Sequence, residues 1–233
     1  MIIGNGLIAR AFKNQYGHSK DVLIFASGVS NSISPLESDF VREKNLLLSV
    51  LNLSLYANFT IVYFSTCSIP SIGFSEISPY VKHKIEMEAL VSKFQKYLII
   101  RLPQIAGFSK NPHTLLNYLF NHISTSSRFE AWPKAMRNII DISDVLKITK
   151  FIIDNKLVVN SFINVVNTHN HTVHEIIKCF EDITKKKALY FEKNQFSKTI
   201  VNTESLNQYL DELNITFDNN YLPNVLCKYY SSG

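Results

Sequence analysis

The chain opens Met1-Ile2-Ile3-Gly4-Asn5-Gly6-Leu7-Ile8-Ala9, and this stretch limits the fold more than any other. A very short apolar strand runs into G-x-G-x-x-A and then into an amphipathic helix that reaches about Gln15. Gly4 permits a tight turn, Gly6 lets a backbone approach a pyrophosphate, and Ala9 allows a helix to pack closely on its strand. Leu7 and Ile8 begin a helix whose N-terminus would face those phosphates, with Asn5 in the turn itself. An ordinary strand–helix turn has the same spacing, so the pattern alone predicts only the first unit of a parallel α/β sheet.

Asp21-Val22-Leu23-Ile24-Phe25 reads as a buried parallel strand, followed by the small residues Ala26, Ser27 and Gly28. A complete dinucleotide-binding half would insert a further strand, helix and strand between the first helix and this one. One of those strands would end in the acidic residue that reads the adenosine ribose. No strand-end Asp or Glu stands there, so the sheet is expected to have a shortened adenosine-binding edge.

A long helix is expected from Pro35 to about Ala57, with Glu37 and Asp39 suited to its N-terminal dipole. The β-branched run Thr60-Ile61-Val62-Tyr63-Phe64 follows, and Ser65-Thr66-Cys67-Ser68 stands at its carboxyl end, where ligands sit in open α/β sheets. Ser78-Pro79-Tyr80 then opens a second helix, running to about Lys93, with Pro79 in its first turn. Tyr80 and Lys84 are four apart and share one helix face. An ammonium beside a phenol favours phenolate, so Lys84 is expected to lower the Tyr80 pKa. With Thr66 sharing a carbonyl oxygen, Tyr80 becomes a proton donor for carbonyl reduction or a base for alcohol oxidation.

These landmarks, in this order, resemble the extended short-chain dehydrogenases/reductases of the NAD-dependent epimerase/dehydratase family. Ser65-Thr66, Tyr80-x-x-x-Lys84 and Arg101-Leu102-Pro103-Gln104 match three of that family's features. Arg137-Asn138-Ile139-Ile140-Asp141-Ile142-Ser143-Asp144-Val145 is similar to its Arg-Asp-Phe-Ile-His-Val-x-Asp-Val signature. Phe162-Ile163-Asn164-Val165 followed by Thr172-Val173-His174-Glu175 resembles its Tyr-Asn-Val strand and next helix.

The resemblance implies a Rossmann-like parallel sheet with a small C-terminal substrate lobe. Residues 1–105 would form the cofactor core, completed by about 136–168, and 106–135 and 169–233 the lobe. It implies NAD or NADP, held by Gly4, Asn5, Gly6, Leu7, Ile8, Ala26, Ser27, Gly28, Ser65, Lys84 and Pro103, with Lys84 on the ribose. It implies a nucleotide-sugar substrate near Ser68, Gln104 and Arg137, the arginine on the diphosphate, with Asp144 capping a helix. Thr66, Tyr80 and Lys84 would be catalytic.

Dehydratases of the family carry Asp-Glu after the strand-end Thr, where this chain has Cys67-Ser68. Reduction of a keto-sugar is therefore the first reading and epimerisation the second. A catalytically inactive sugar-nucleotide binding module or partner subunit is the alternative of another class. A homodimer packed through helices 37–57 and 80–95 is the further expectation.

Composition narrows the partners. The net charge of +5 comes from scattered lysines and gives no nucleic-acid footprint. Cys67, Cys179 and Cys227 have no paired spacing, which points to a reducing, cytoplasmic compartment. The start Met1-Ile2-Ile3 is not the apolar core of a secretory signal. The uncharged stretch Leu46–Ser75 is interrupted by Asn52, Asn58 and Ser65 and reads as helix then strand rather than a membrane span. His169, His171 and His174 lie in a loop entering a helix capped by Thr172, and no metal is expected there. Phe129 and Trp132 are candidates for sugar or base contact, or for the core of the lobe.

Overall fold

In a computed structural model of the chain, residues 1–30, 36–53, 58–69, 77–193 and 204–231 are described. Their elements run β1 (Ile2–Ile3), α1 (Leu7–Tyr16), β2 (Val22–Phe25), α2 (Glu37–Leu51), β3 (Thr60–Thr66), α3 (Pro79–Val91) and β4 (Tyr97–Leu102). Next come β5 (Gln104–Ala106), α4 (Leu115–Ser124), β6 (Phe129–Ala131), β7 (Met136–Asp141), α5 (Ile142–Asp154) and β8 (Ser161–Asn164). The chain continues with β9 (Asn170–Thr172), α6 (Val173–Thr184), β10 (Tyr190–Glu192), α7 (Glu204–Leu210) and α8 (Tyr221–Tyr230).

The chain divides into two compact units. Residues 1–102 and 145–165 form the first, and residues 103–144 and 166–233 the second. The sequence predicts 136–168 as part of the core. Instead β7 pairs with β5 and β9, in a sheet of the second unit, and carries 136–144 with it.

In the first unit the five strands lie in the order β1-β2-β3-β4-β8, all parallel. Among the described residues the strand that precedes the glycine turn is thus an edge strand, the short side of the sheet expected from the sequence. β2 and β3 are buried almost end to end, as their unbroken apolar runs require of strands covered on both faces. On one face Leu23, Phe25, Tyr63 and Ile99 pack with Leu47 of α2 and Met87 of α3. On the other, Phe12 of α1 meets Phe64 edge-on at 5.2 Å between ring centroids.

Helix ends follow local chemistry. Ser78 caps α3 by accepting from the Val81 N–H at 3.3 Å, with Pro79 at the first helical position. α2 is shorter than expected: it ends at Leu51, and residues 54–57 lie outside the described ones. Asp144 does not cap a helix. α5 begins two residues earlier, at Ile142, and the Asp141 carboxylate accepts the Ser143 N–H at 2.7 Å, while Asp144 accepts from the Tyr221 hydroxyl at 2.6 Å.

In the second unit Thr172 and Glu175 form a reciprocal capping box at the start of α6. Phe129 is core: it is buried against Tyr118, His122 and Tyr190. The three cysteines are unpaired. Among the described residues no helix is long and apolar enough to cross a membrane.

Candidate active site

The carboxyl ends of β1, β2 and β3 bring together most of the residues singled out in the sequence. At the end of β1, Gly4 has φ +124°, a conformation that L side chains rarely adopt. A Cβ there would lie 2.3 Å from the Ala26 carbonyl oxygen and 3.0 Å from the Ser27 nitrogen, so the turn closes directly on the segment after β2. Gly6 is the N-cap of α1, has no side-chain cap, and has nothing within 4 Å of where a Cβ would stand. No acidic residue occupies the first turn of α1. The first N–H groups of such a helix have no intrahelical partner and carry the positive end of its dipole, so Gly6, Leu7 and Ile8 form a cradle open to an anion.

At the end of β3 the Thr66 hydroxyl accepts the Ser68 N–H at 3.1 Å and lies near enough to the Tyr80 phenol to pull its pKa down. Ser65 is buried, and its hydroxyl has no partner among the described residues. A buried polar group without a partner is costly, and one beside an open strand end suits a polar ligand atom. Ser68 is exposed at the same strand end. Burial pushes the neighbouring Cys67 thiol up to about 12, which leaves it protonated and unreactive at neutral pH.

Lys84 departs from expectation. Its side chain is turned inward and the residue is 2% exposed. Nζ donates to Glu43 Oε1 at 3.0 Å and to the Tyr63 hydroxyl at 3.0 Å. Tyr63 in turn donates to Glu43 Oε1 at 2.7 Å. Glu43 is completely buried, and its other oxygen accepts the Val29 N–H at 2.7 Å and His83 Nε2 at 3.0 Å. A Cβ on Gly28 would lie 2.8 Å from Lys84 Nζ, so the backbone after β2 covers the ammonium. The amine stands 5.9 Å from the centre of the Tyr80 ring.

The expected lowering of the Tyr80 pKa is therefore corrected. Burial, and then the charge of Glu43, push the phenol above its ordinary value of 10, against the Thr66 hydroxyl that pulls it down. Lys84 is spent on Glu43, and its own pKa falls because burial pulls it down more than the carboxylate lifts it. The same contacts leave Lys84 no open approach to a ribose.

The remaining predicted residues are placed as follows. Ala26, Ser27 and Gly28 follow β2, with the Ser27 hydroxyl accepting from Arg42 Nη1 at 3.2 Å. Arg101 is structural: its guanidinium grips Glu88 with two bonds, at 2.9 and 2.7 Å, and stacks on Phe162. Pro103, Gln104 and Arg137 belong to the second unit. There Gln104 pairs with Ile139, and Arg137 stands directly across from His171 on β9 and donates to the Met136 carbonyl at 2.7 Å. Burial lowers the Arg137 pKa. Among the described residues no three His, Cys, Asp or Glu side chains are grouped to hold a metal.

Sequence reasoning missed Glu43, Tyr63 and His83. A usable signal existed for Glu43, because it falls in register with Leu47 and Val50 on the buried stripe of α2.

No protein-family model and no curated protein matches the sequence. Solved structures do match. RMD from Pseudomonas aeruginosa, solved with NADPH, superposes with a TM-score of 0.73 at 13% identity, covering 99% of this chain and 98% of that one. UDP-glucose 4-epimerase from Thermus thermophilus, solved with NAD, gives 0.69 at 14% identity, with 97% and 81% covered. UDP-N-acetylglucosamine 4-epimerase from Bacillus cereus gives 0.64 at 13% identity, with 98% and 96% covered. The chain has the fold of NAD-dependent sugar epimerases and dehydratases. At these identities the likeness is one of fold.

Proposed function

We propose that the chain is an NAD(P)-dependent oxidoreductase that reduces a carbonyl of a nucleotide-activated sugar. The observation that carries this reading is the meeting of Thr66, at the carboxyl end of β3, with Tyr80, in the first turn of α3, where each hydroxyl acts on the other. Carbonyl reduction needs a hydride at carbon, which a reduced nicotinamide supplies when bound, and a proton at oxygen. Tyr80 gives that proton, and Thr66 orients the carbonyl oxygen and polarises it.

The residues fit one part of the cofactor and not another. The Gly4–Gly6 turn and the uncapped start of α1 suit a pyrophosphate, and the orphaned Ser65 hydroxyl suits a polar group beside it. The covered Lys84 does not suit the ribose, and among the described residues β1, an edge strand, has no strand beyond it to read an adenosine. Arg137 is the proposed diphosphate contact of the substrate.

Those two mismatches favour a second reading, in which the chain binds a sugar nucleotide without turning it over. Calorimetric titration with NADH and with NADPH separates them. The oxidoreductase reading expects binding of at least one in the micromolar to low millimolar range, and absence of both at millimolar concentration removes it.

A homodimer through α2 and α3 belongs to the same proposal. Val41 on α2 and Ile85 on α3 are exposed apolar residues on that pair of helices. Sedimentation at micromolar concentration should show twice the chain mass, and a monomer would remove the dimer.

A further inference from the structure

Glu43 is the most heavily coordinated side chain near the proposed site, yet it touches no position where substrate would sit. It lies on the apolar stripe of α2, completely buried. A carboxylate there is costly unless every lone pair finds a donor. It finds four: the Val29 N–H, the Tyr63 hydroxyl, His83 Nε2 and Lys84 Nζ, all at 2.7–3.0 Å. They come from three different parts of the site's scaffold. Val29 belongs to the segment after β2, Tyr63 to β3, and His83 and Lys84 to the first turns of α3, beside Tyr80. His83 is further fixed by stacking on Phe40 of α2 at 4.4 Å between centroids.

We infer that Glu43 is a positioning residue: it takes Lys84 as an internal counter-ion and so keeps Tyr80 a neutral phenol, able to give a proton and unable to take one. Resting on the proposed function, this favours reduction over epimerisation, because an epimerase must also remove a proton from a sugar hydroxyl.

The charges around Tyr80 allow this outcome. Glu43 of α2 and Cys67 at the end of β3 act on Tyr80, Arg42 of α2 and Glu88 of α3 act on Lys84, and His83 of α3 meets Glu43. Cys67 is a neutral thiol. Glu88 is gripped by Arg101 of β4. Lys84, tied to Glu43 and Tyr63, gives a Tyr80 phenolate no support, so burial and then the Glu43 carboxylate decide against ionisation of the phenol.

The test reads the phenol directly, with no ligand. The protein is isotope-labelled at the tyrosine ring Cζ, and the Tyr80 resonance is assigned by its loss in Tyr80→Phe. Wild type and Glu43→Gln are then titrated across the alkaline range in which circular dichroism stays native. Wild type should show Tyr80 un-ionised throughout. In Glu43→Gln the midpoint should fall by at least about one pH unit, a tenfold change in the phenol's dissociation constant, and far enough for ionisation to become visible within that range. A Tyr80 that stays un-ionised in a folded Glu43→Gln protein overturns the inference, since a merely structural role for Glu43 would not move that midpoint.

Should Glu43→Gln fail to fold, Glu43→Met removes the same carboxylate with a side chain of similar length and keeps Lys84 in place. Its Tyr80 midpoint should also fall, and an unmoved one overturns the inference equally. Failure of either nicotinamide cofactor to bind would remove the proposed function and leave this titration result unaffected.

Discussion

Tyr80→Phe is expected to lower turnover about 10²–10⁴-fold, the usual contribution of a positioned general acid. KM should change by no more than about twofold, because the phenol meets substrate through one hydrogen bond in the ground state, and its loss falls mainly on the transition state. Steady-state reduction of nucleoside-diphosphate keto-sugars with NADPH or NADH, followed at the nicotinamide absorbance, provides the measurement. A Tyr80→Phe enzyme that keeps more than a tenth of wild-type turnover would remove Tyr80 from the chemistry.

The pH profile sharpens the same expectation. Tyr80 is held above its ordinary value of 10, chiefly by burial, so its acid form is fully populated through neutral pH. Reduction should therefore show no alkaline limb from this group between about pH 6 and 9, whereas the reverse oxidation should rise towards alkaline pH. Replacing the phenol leaves the Thr66 hydroxyl with its Ser68 contact, so the cost in stability should stay near ~1 kcal/mol and not mask the kinetic effect.

Much of this architecture was legible because it depends on short-range chemistry. The glycine turn after Ile3, the unbroken apolar runs of β2 and β3, and the Ser78-Pro79 helix start each carry a local reason for their shape. The short spacing between α1 and β2 leaves no room for a further strand and helix, and among the described residues β1 does lie at the edge of its sheet. The sequence also places Thr66 and Tyr80 near each other, through a strand end and a following helix.

What it did not reveal is where the lysine's charge goes. Tyr80 and Lys84 share a helix face by spacing, but a four-carbon stem lets the ammonium settle several ångströms to either side. Its direction is decided by Glu43, which lies 41 residues away and is embedded in the run Arg42-Glu43-Lys44, indistinguishable by composition from a solvated face. Only the helical register with Leu47 and Val50 betrays it. Asp144 fails for a related reason. An acid beside a helix start reads as its cap, whereas Asp141 supplies that bond and Asp144 serves a tyrosine far along the chain.

Lys84→Met should cost about 3–5 kcal/mol in denaturant unfolding at neutral pH, because it leaves the fully buried Glu43 carboxylate without its counter-ion. Met matches the lysine stem in length, so the loss belongs to the charge rather than to a cavity. Adding Glu43→Leu should recover most of it, since an apolar pair in place of a buried ion pair is often neutral or better. The sign of the pH dependence follows from the carboxyl. Burial pushes Glu43 up, but Lys84 and the donors from Val29 and Tyr63 outweigh it and hold the folded value below the ordinary 4.5. Its contribution is thus complete above about pH 4.5 and is lost as pH falls through the lower folded value. Lys84 works the other way. Its folded value lies below 10.5, so between the two values the unfolded chain binds the extra proton and stability rises with pH. In Lys84→Met the stranded carboxyl takes up a proton more readily, and the deficit against wild type should shrink on acidification below about pH 5. A deficit equal at pH 4 and pH 7 would mean that the pair does not anchor α2 to α3, and that the covered position of the ammonium beneath Gly28 owes nothing to Glu43.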